Sequence, residues 1–341
     1  MTGSARYRSH KHSYRWFYLG LAILLLLLVV ANLLVGDVAY TPSEIARALR
    51  GVDDGNMLPT ILRLRLNRMV VALMIGIVLP LCGLMMQTIF QNPLADPYIL
   101  GVSSGTSLGV ALFVLGVPLM GGVGASVHLI DIGMIGAGWI GALVVLALVL
   151  GLSRRVSNIF GILIIGVMIS YITSAVIQIL QYFSSAEQLK LYTLWSLGSL
   201  SGVTQAQLGL MVPILLVGIL LAILCMKPLN LLLLGEEQAT SMGLNVKRTR
   251  TLVFGATTLM AGTATVLCGP IGFVGLATPH VARALFRTAD HRVLLPATAL
   301  IGACLMMFAD LLAKLFTIPI NAVTALMGIP IILIVVFRTL K

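Results

Sequence analysis

Apolar runs of about 20 residues recur from one end of this chain to the other, and they leave few folds open to it. The first covers residues 16–36, and comparable stretches follow at about 68–90, 98–119, 130–152, 159–182, 206–226, 251–268, 271–285, 293–315 and 320–337. At 1.5 Å rise per residue, a helix of this length matches the roughly 30 Å hydrocarbon core of a bilayer. In lipid each backbone N–H and C=O must be satisfied within the protein, which makes such runs helical. With 59% hydrophobic and 10% charged residues and a mean hydropathy of +1.06, the chain has too little polar surface to coat a soluble globule. The expected class is an all-α polytopic membrane protein of about ten transmembrane helices, with residues 1–341 as one transmembrane domain. Residues 16–36 lack a small-residue cleavage site and are read as the first span, not as a removed signal.

The 34 glycines are used inside the apolar runs, where small residues let helices approach closely. Cys82, Cys225, Cys268 and Cys304 all fall in apolar segments without CxxC spacing, so neither a disulfide framework nor a metal site is indicated. The net charge of +11 implies no nucleic-acid partner, because where the charge sits matters more than its sum. With ten spans both termini share a side, and fifteen of the 22 lysines and arginines fall on that side. The positive-inside rule therefore makes both termini cytoplasmic and residues 1–15 a basic tail.

Several polar stretches interrupt the apolar pattern. Residues 87–101, QTIFQNPLADPYILG, pack Gln87, Gln91, Asn92, Asp96 and two prolines between spans 2 and 3. A helix-breaking corner of this kind faces water or lines a pathway; spacing alone leaves a tight hairpin and a gate both open. At the other end of span 2, Arg63, Arg65 and Arg68 defy the charge bias. They offer guanidinium forks to an acidic partner, or else meet lipid headgroups. Near the same level, Asp310 and Lys314 stand at i and i+4 and can pair with each other. Residues 227–250 form a polar segment in which Gly235 and Gly243 bracket Glu236, Glu237, Gln238 and Ala239, as two short helices joined by turns or as a plain loop. His280, Arg283, Asp290, His291 and Arg292 cluster after span 8 without HExxH spacing or a third ligand, which favours a structural or partner-facing role over metal binding. His128 reads as a solvated loop residue. Thr41, Pro42, Ser43 and Glu44 signal the start of a short amphipathic helix, and residues 184–205 form a polar connection.

Gly83, Gln87, Asn92, Pro93, Leu94, Ala95, Pro97, Leu100 and Gly101 resemble the signature of permease subunits of type II, binding-protein-dependent ABC importers for iron chelates, haem and cobalamin, the FecCD/BtuC-like family. The likeness runs on through Glu237, Ala239 and Gly243, the GPIGFVGL and PH segments, DHR and the C-terminal ALMG and proline, over roughly Arg63 to Arg338. It implies a BtuC-like fold and a set of roles. Asn92 and Leu94 of two copies, with Gln87, Pro93 and the turn at Asn158 and Ile159, would narrow the cytoplasmic exit, held closed by dewetting. Arg65 and Arg68 match an LRLPR motif that docks acidic residues of a periplasmic or lipid-anchored substrate-binding protein, with Asn67 in place of its proline; Lys314 replaces an arginine of the same dock. Gly235, Glu236, Glu237, Gln238, Ala239 and Gly243 would couple to an ATPase and pass its closure to the spans. Thr317, Asn321 and Ile331 depart from the usual Glu, Gly and Phe. The implied partners are a second permease copy, most simply in a homodimer, two cytoplasmic ATP-binding subunits, the binding protein and membrane lipid. No cofactor is expected on this chain, with ATP on the partner subunit.

The chain has no G-x-x-x-x-G-K-[ST] loop, and none of its six lysines follows a glycine, so it is not expected to be an enzyme. An ion-coupled carrier calls for an acid near mid-membrane, whereas Asp131 and Asp310 lie near span ends. An intramembrane hydrolase using Ser103 or Ser104 lacks a histidine brought near them. The expected function is passage of an iron chelate, siderophore or haem, across the inner (plasma) membrane. Cobalamin is the alternative within the family, molybdate a minor option, and an ion-coupled secondary transporter the alternative outside it.

Overall fold

A computed structural model describes all residues except 1–2, 37–40, 42, 45–46, 48–56, 120–126, 154–158 and 340–341. Among the described residues the chain is helical without strands. In order, the helices are α1 (Gly3–Leu34), α2 (Leu58–Ile89), α3 (Val102–Ala111, continued through a π-helical turn Leu112–Gly116 and Val117–Leu119), α4 (Val127–Ser153), α5 (Ile159–Phe183), α6 (Ala186–Ser196), α7 (Gln205–Leu224), α8 (Met226–Leu232), α9 (Glu236–Ser241), α10 (Val246–Cys268), α11 (Val274–Phe286), α12 (His291–Phe316) and α13 (Ile320–Thr339). Seven are long and apolar enough to cross a membrane, and residues 102–116 and 320–335 add two shorter apolar helices.

Helix α2 is the axis of the fold. It is apolar on every side, as a fully surrounded helix must be, and 78% of its apolar window is buried, against 6% for α1 and 17% for α5. Helices α12, α11, α10 and α7 pack around it. The outward residues of α1, α4, α5 and α7, among them Leu26, Ile140, Tyr171 and Leu210, are exposed and apolar, a surface that lipid solvates and water does not. Close crossings depend on absent side chains. A Cβ on Gly83 would strike the backbone of Gly275 on α11, and one on Gly76 would strike Gly302 and Met306 on α12. These contacts fix α11 and α12 against the two halves of α2.

The ten expected spans correspond to α1, α2, α3, α4, α5, α7, α10, α11, α12 and α13, with shifts at their ends. The basic tail is helical from Gly3 and continuous with span 1. Helix α2 begins ten residues early, so Arg63 and Arg65 lie on it and not in the preceding connection. Span 3 is broken near its start, because Pro97 opens a 3-10 turn (Pro97–Leu100) and Gly101 is left-handed (φ 76°). Span 8 starts only at Val274, since Gly269 (φ 75°) and Phe273 (φ 68°) hold the preceding backbone out of helix. The polar connection after α5 contains helix α6, capped by reciprocal bonds between Ser185 and Gln188. Across residues 226–250 two short helices, α8 and α9, are joined by a turn that ends at Gly235. Thr41 and Glu44 do make the expected helix-start bonds. Asn158 lies outside the described residues, as do most of the residues that follow Glu44 before α2, and Ile159 begins α5.

Candidate functional site

The corner after α2 is built from side chains that replace missing backbone bonds. Asn92 Oδ1 accepts from the Leu94 N–H at 2.9 Å, and Asp96 Oδ1 accepts from the Tyr98 N–H at 2.8 Å, capping the 3-10 turn. Gln91 sits at φ 45°, a region a non-glycine residue occupies only when its surroundings hold it there. Burial pushes the Asp96 carboxyl up from its ordinary 3.8 to about 6, against the pull of the Tyr98 N–H. Leu94 stays half exposed at the tip.

Helix α11 grips this corner from the side. Buried Gln87 donates Nε2–H to the Leu276 carbonyl at 3.1 Å and accepts from Arg283 Nη1 at 2.6 Å. Three residues earlier on the same helical face, His280 Nε2–H donates to the Pro93 carbonyl at 2.7 Å, which fixes its tautomer because a carbonyl only accepts. A cavity of about 640 Å³ opens beside these bonds. It is lined by Gln87, Gln91, Asn92 and Pro93 on one side, residues 232–235 on another, and His280, Arg283 and Val335 between.

The segment from α8 to α10 carries the next group. Gly235 (φ 100°) admits a turn forbidden to other residues and starts α9, with Glu236 and Glu237 in its first turn, where the helix dipole favours acids. Ala239 is buried under α9, and Gly243 (φ 87°) ends the segment. Glu236 pairs with Arg250 on α10. Glu237 and Gln238 point to solvent. Behind this segment, Asn230 donates to Asp290 Oδ1 at 2.6 Å and accepts from the His291 N–H and Nδ1–H at 2.8 and 2.7 Å. His291 Nε2 faces Thr88 Oγ1 at 2.9 Å. The two histidines thus have separate partners, and among the described residues no three His, Cys, Asp or Glu converge as metal ligands would.

At the opposite end of α2, nineteen residues and roughly 28 Å from Gln87, the arrangement is ionic. Fully buried Asp310 receives Arg68 Nε at 2.6 Å and Lys314 Nζ at 2.8 Å. Lys314 also donates to Asn32 Oδ1 at 2.9 Å, while Asn32 Nδ2 bonds the Leu28 and Met307 carbonyls. Arg65 turns inward to the Leu33 carbonyl at 2.8 Å, and Arg63 is exposed. A cavity of about 280 Å³ is lined by Arg65, Arg68, Lys314 and Ser201. The sequence reading passed over Asn32 and Asn230. Asn32 is a lone amide in an apolar span, and a polar group at that depth must find a partner, which is the available signal; Asn230 lies in the polar segment 227–250, where an amide carries no such signal. Phe273 and Gln91 carried no signal, because positive φ at such residues is imposed from outside.

Comparison with known proteins agrees with this geometry. The FecCD transport family matches residues 24–338. The Vitamin B12 import system permease protein BtuC of Klebsiella pneumoniae is 35% identical over 336 residues, 96% of this chain and 95% of that one. The hemin transport system permease protein HmuU of Yersinia pestis is 36% identical over 285 residues, 81% and 83% of the two chains. A solved structure of a metal-chelate type ABC transporter in an inward-facing conformation superposes with a TM-score of 0.81 at 29% identity, covering 96% of this chain and all of the other. PsaBC of Streptococcus pneumoniae shares the fold at 17% identity and a TM-score of 0.53. The chain belongs to the FecCD transport family. It is a multi-pass membrane permease subunit of the type II ABC importer class, and its relatives are transport components.

Proposed function

We propose that two copies of this chain pair in the plasma membrane, with both termini cytoplasmic, to form the pathway of an iron chelate, siderophore or haem. Residues 1–341 act as one transmembrane domain. Residues 227–250 face the cytoplasm, where Gly235, Glu236, Glu237, Gln238, Ala239 and Gly243 meet two ATP-binding subunits that hold the ATP. Asn92, Leu94, Gln87 and Pro93, with the turn at Asn158 and Ile159, form the cytoplasmic gate. A substrate-binding protein docks at the far end over Arg65, Arg68 and Lys314. There Arg68 and Lys314 share the one carboxylate of Asp310, and Arg65 joins them in lining an open cavity, an arrangement that suits an acidic partner.

The observation that carries this reading is the 640 Å³ cavity, whose walls are the proposed gate on one side and the entry to the coupling segment on the other. The proposed gate and the coupling segment face each other across it. A haem permease and a metal-chelate transporter among the similar proteins support the substrate class, and the vitamin B12 permeases make cobalamin the second reading. The test is ATP-driven uptake in liposomes holding the full complex with its binding protein, offered ferric siderophore, haemin and cobalamin in turn. Uptake of a ferric chelate or haemin alone is expected. Uptake of cobalamin alone reassigns the cargo, and uptake without the ATP-binding subunits refutes the mechanism. In the same liposomes, Leu94→Ala with Asn92→Ala is expected to leak substrate or to uncouple hydrolysis.

A further inference from the structure

Helix α11 is placed to move the corner. It has only thirteen residues and is bounded by two left-handed non-glycine residues, Phe273 (φ 68°) before it and Arg287 (φ 49°) after it. Such positions mark sites where the surrounding structure imposes a bend. Its backbone meets α2 at Gly275 against Gly83, a contact with no intervening side chain. Beyond that crossing, one and two turns along, His280 and Arg283 reach the corner through bonds of 2.7 and 2.6 Å.

The bonds on the two sides of the corner differ in kind. Toward α11 they are short and Arg283 makes a charge-assisted one. Toward α8, Gln91 reaches the Leu232 carbonyl only at 3.4 Å, the outer limit for such a bond, and the cavity separates the corner from residues 232–235. Helix α8 is instead fastened to the start of α12 through Asn230, Asp290 and His291. Among the described residues, Thr88 to His291 at 2.9 Å is the one short side-chain bond between the end of α2 and that assembly. Arg283 is a largely buried cation with no carboxylate partner among the described residues; its hydrogen bond goes to the neutral amide of Gln87.

We propose that His280 and Arg283 are positioning residues for the gate: they fix the corner to α11, and α11 and the corner move as one body relative to the α8–α9 segment. This rests on the gate and coupling roles given above. The room for motion lies between the corner and residues 232–235, and the bonds that must yield are those of Gln91 and Thr88.

The test uses the reconstituted complex with its ATP-binding subunits. The four native cysteines are buried, so thiol spin labels go to introduced sites. One pair joins Leu94→Cys to Ala284→Cys on α11; a second joins Leu94→Cys to Leu234→Cys across the cavity. Between the nucleotide-free and vanadate-trapped states, the first distance is expected to hold and the second to change. In His280→Ala with Arg283→Gln, the first distribution broadens and ATP hydrolysed per substrate moved rises roughly tenfold, the scale of one lost charge-assisted bond. His280→Gln, whose amide can still donate to Pro93, restores the ratio in an Arg283 background. A 94–284 distance that changes as much as the 94–234 distance overturns the proposal, as does an unchanged hydrolysis ratio in the double variant. Should that variant not assemble, the two wild-type distances decide. A rigid 94–284 pair in a protein whose Leu94→Ala, Asn92→Ala variant stays tight and coupled would instead refute the gate and leave the α11 unit standing.

Discussion

The two ends of α2 are held by different chemistry. At the Arg68 end, a carboxylate with no exposure is shared by two cations and backed by the buried amide of Asn32, which ties α1, α2 and α12 together. At the Gln87 end, a cation is bonded to a neutral amide, a histidine to a backbone carbonyl, and a cavity lies alongside. Removing one member of a buried ion cluster strands the others at a cost of about 3–5 kcal/mol. A charge-assisted bond to a neutral amide contributes about 1.5–3 kcal/mol, and a neutral one about 1 kcal/mol. One helix therefore has a firmly anchored end and a more weakly held end, the latter on the side where the exit is proposed.

The largest expected effect breaks the anchor. Asp310→Ala leaves Arg68 and Lys314 without their counter-ion, and detergent-solubilised protein should lose about 3–5 kcal/mol of unfolding free energy. An equal loss from Gln87→Ala would erase the distinction between the ends. The pairing also alters how the docking arginines should be tested. Arg68→Glu would set a second carboxylate against Asp310 and unsettle the fold, so a loss of uptake from it would be ambiguous. Arg63→Glu changes an exposed charge at the same lip and should leave stability within about 0.5 kcal/mol. If docking draws on the whole cationic lip, Arg63→Glu weakens binding-protein affinity, and the loss grows as salt is lowered.

An intermediate effect is expected where backbones touch. Gly83→Ala places a methyl group into the Gly275 carbonyl and forces α2 and α11 apart, at about 1–3 kcal/mol. Because that crossing precedes His280 and Arg283, the shift should reach the corner and raise ATP hydrolysis in the absence of substrate. Gly76→Ala, at the crossing with α12, should cost similar stability and leave that hydrolysis unchanged. Identical hydrolysis in the two variants would mean that α11 has no special link to the exit.

Much of this was legible in the sequence because a bilayer allows few solutions. Ten apolar runs became ten helices, and the corner, the arginine lip and the Gly235 to Gly243 segment were visible as polar breaks in an apolar text. What was hidden depended on contacts between distant residues. Nothing near Arg68 announces that Asp310, 242 positions on, neutralises it. Span 8 read as starting at residue 271 because Ile271, Phe273 and Val274 are apolar, and only the positive φ of Phe273 shows that the helix waits until Val274. Residues 58–67 looked like a connection for the reverse reason: their arginines lowered the apolar count, though Pro59 in the first turn and the leucines between the arginines suit a helix end.

The smallest effect concerns Asp96, whose carboxyl has no cation beside it among the described residues, unlike Asp310. Burial raises its folded pKa to about 6 from 3.8, so the folded protein holds the proton more tightly than the unfolded chain does. Stability is then greatest below pH 4, falls as pH rises through about 6, and is flat above. A difference of this size is worth at most about 3 kcal/mol, and less where water reaches the carboxyl. Asp96→Asn keeps an acceptor for the Tyr98 N–H and removes the titration. Melting temperatures from pH 4.5 to 7.5 should show the variant above the wild type at neutral pH, with the two curves converging in acid. Parallel curves would place a compensating cation near Asp96 and make the corner resemble the anchored end after all.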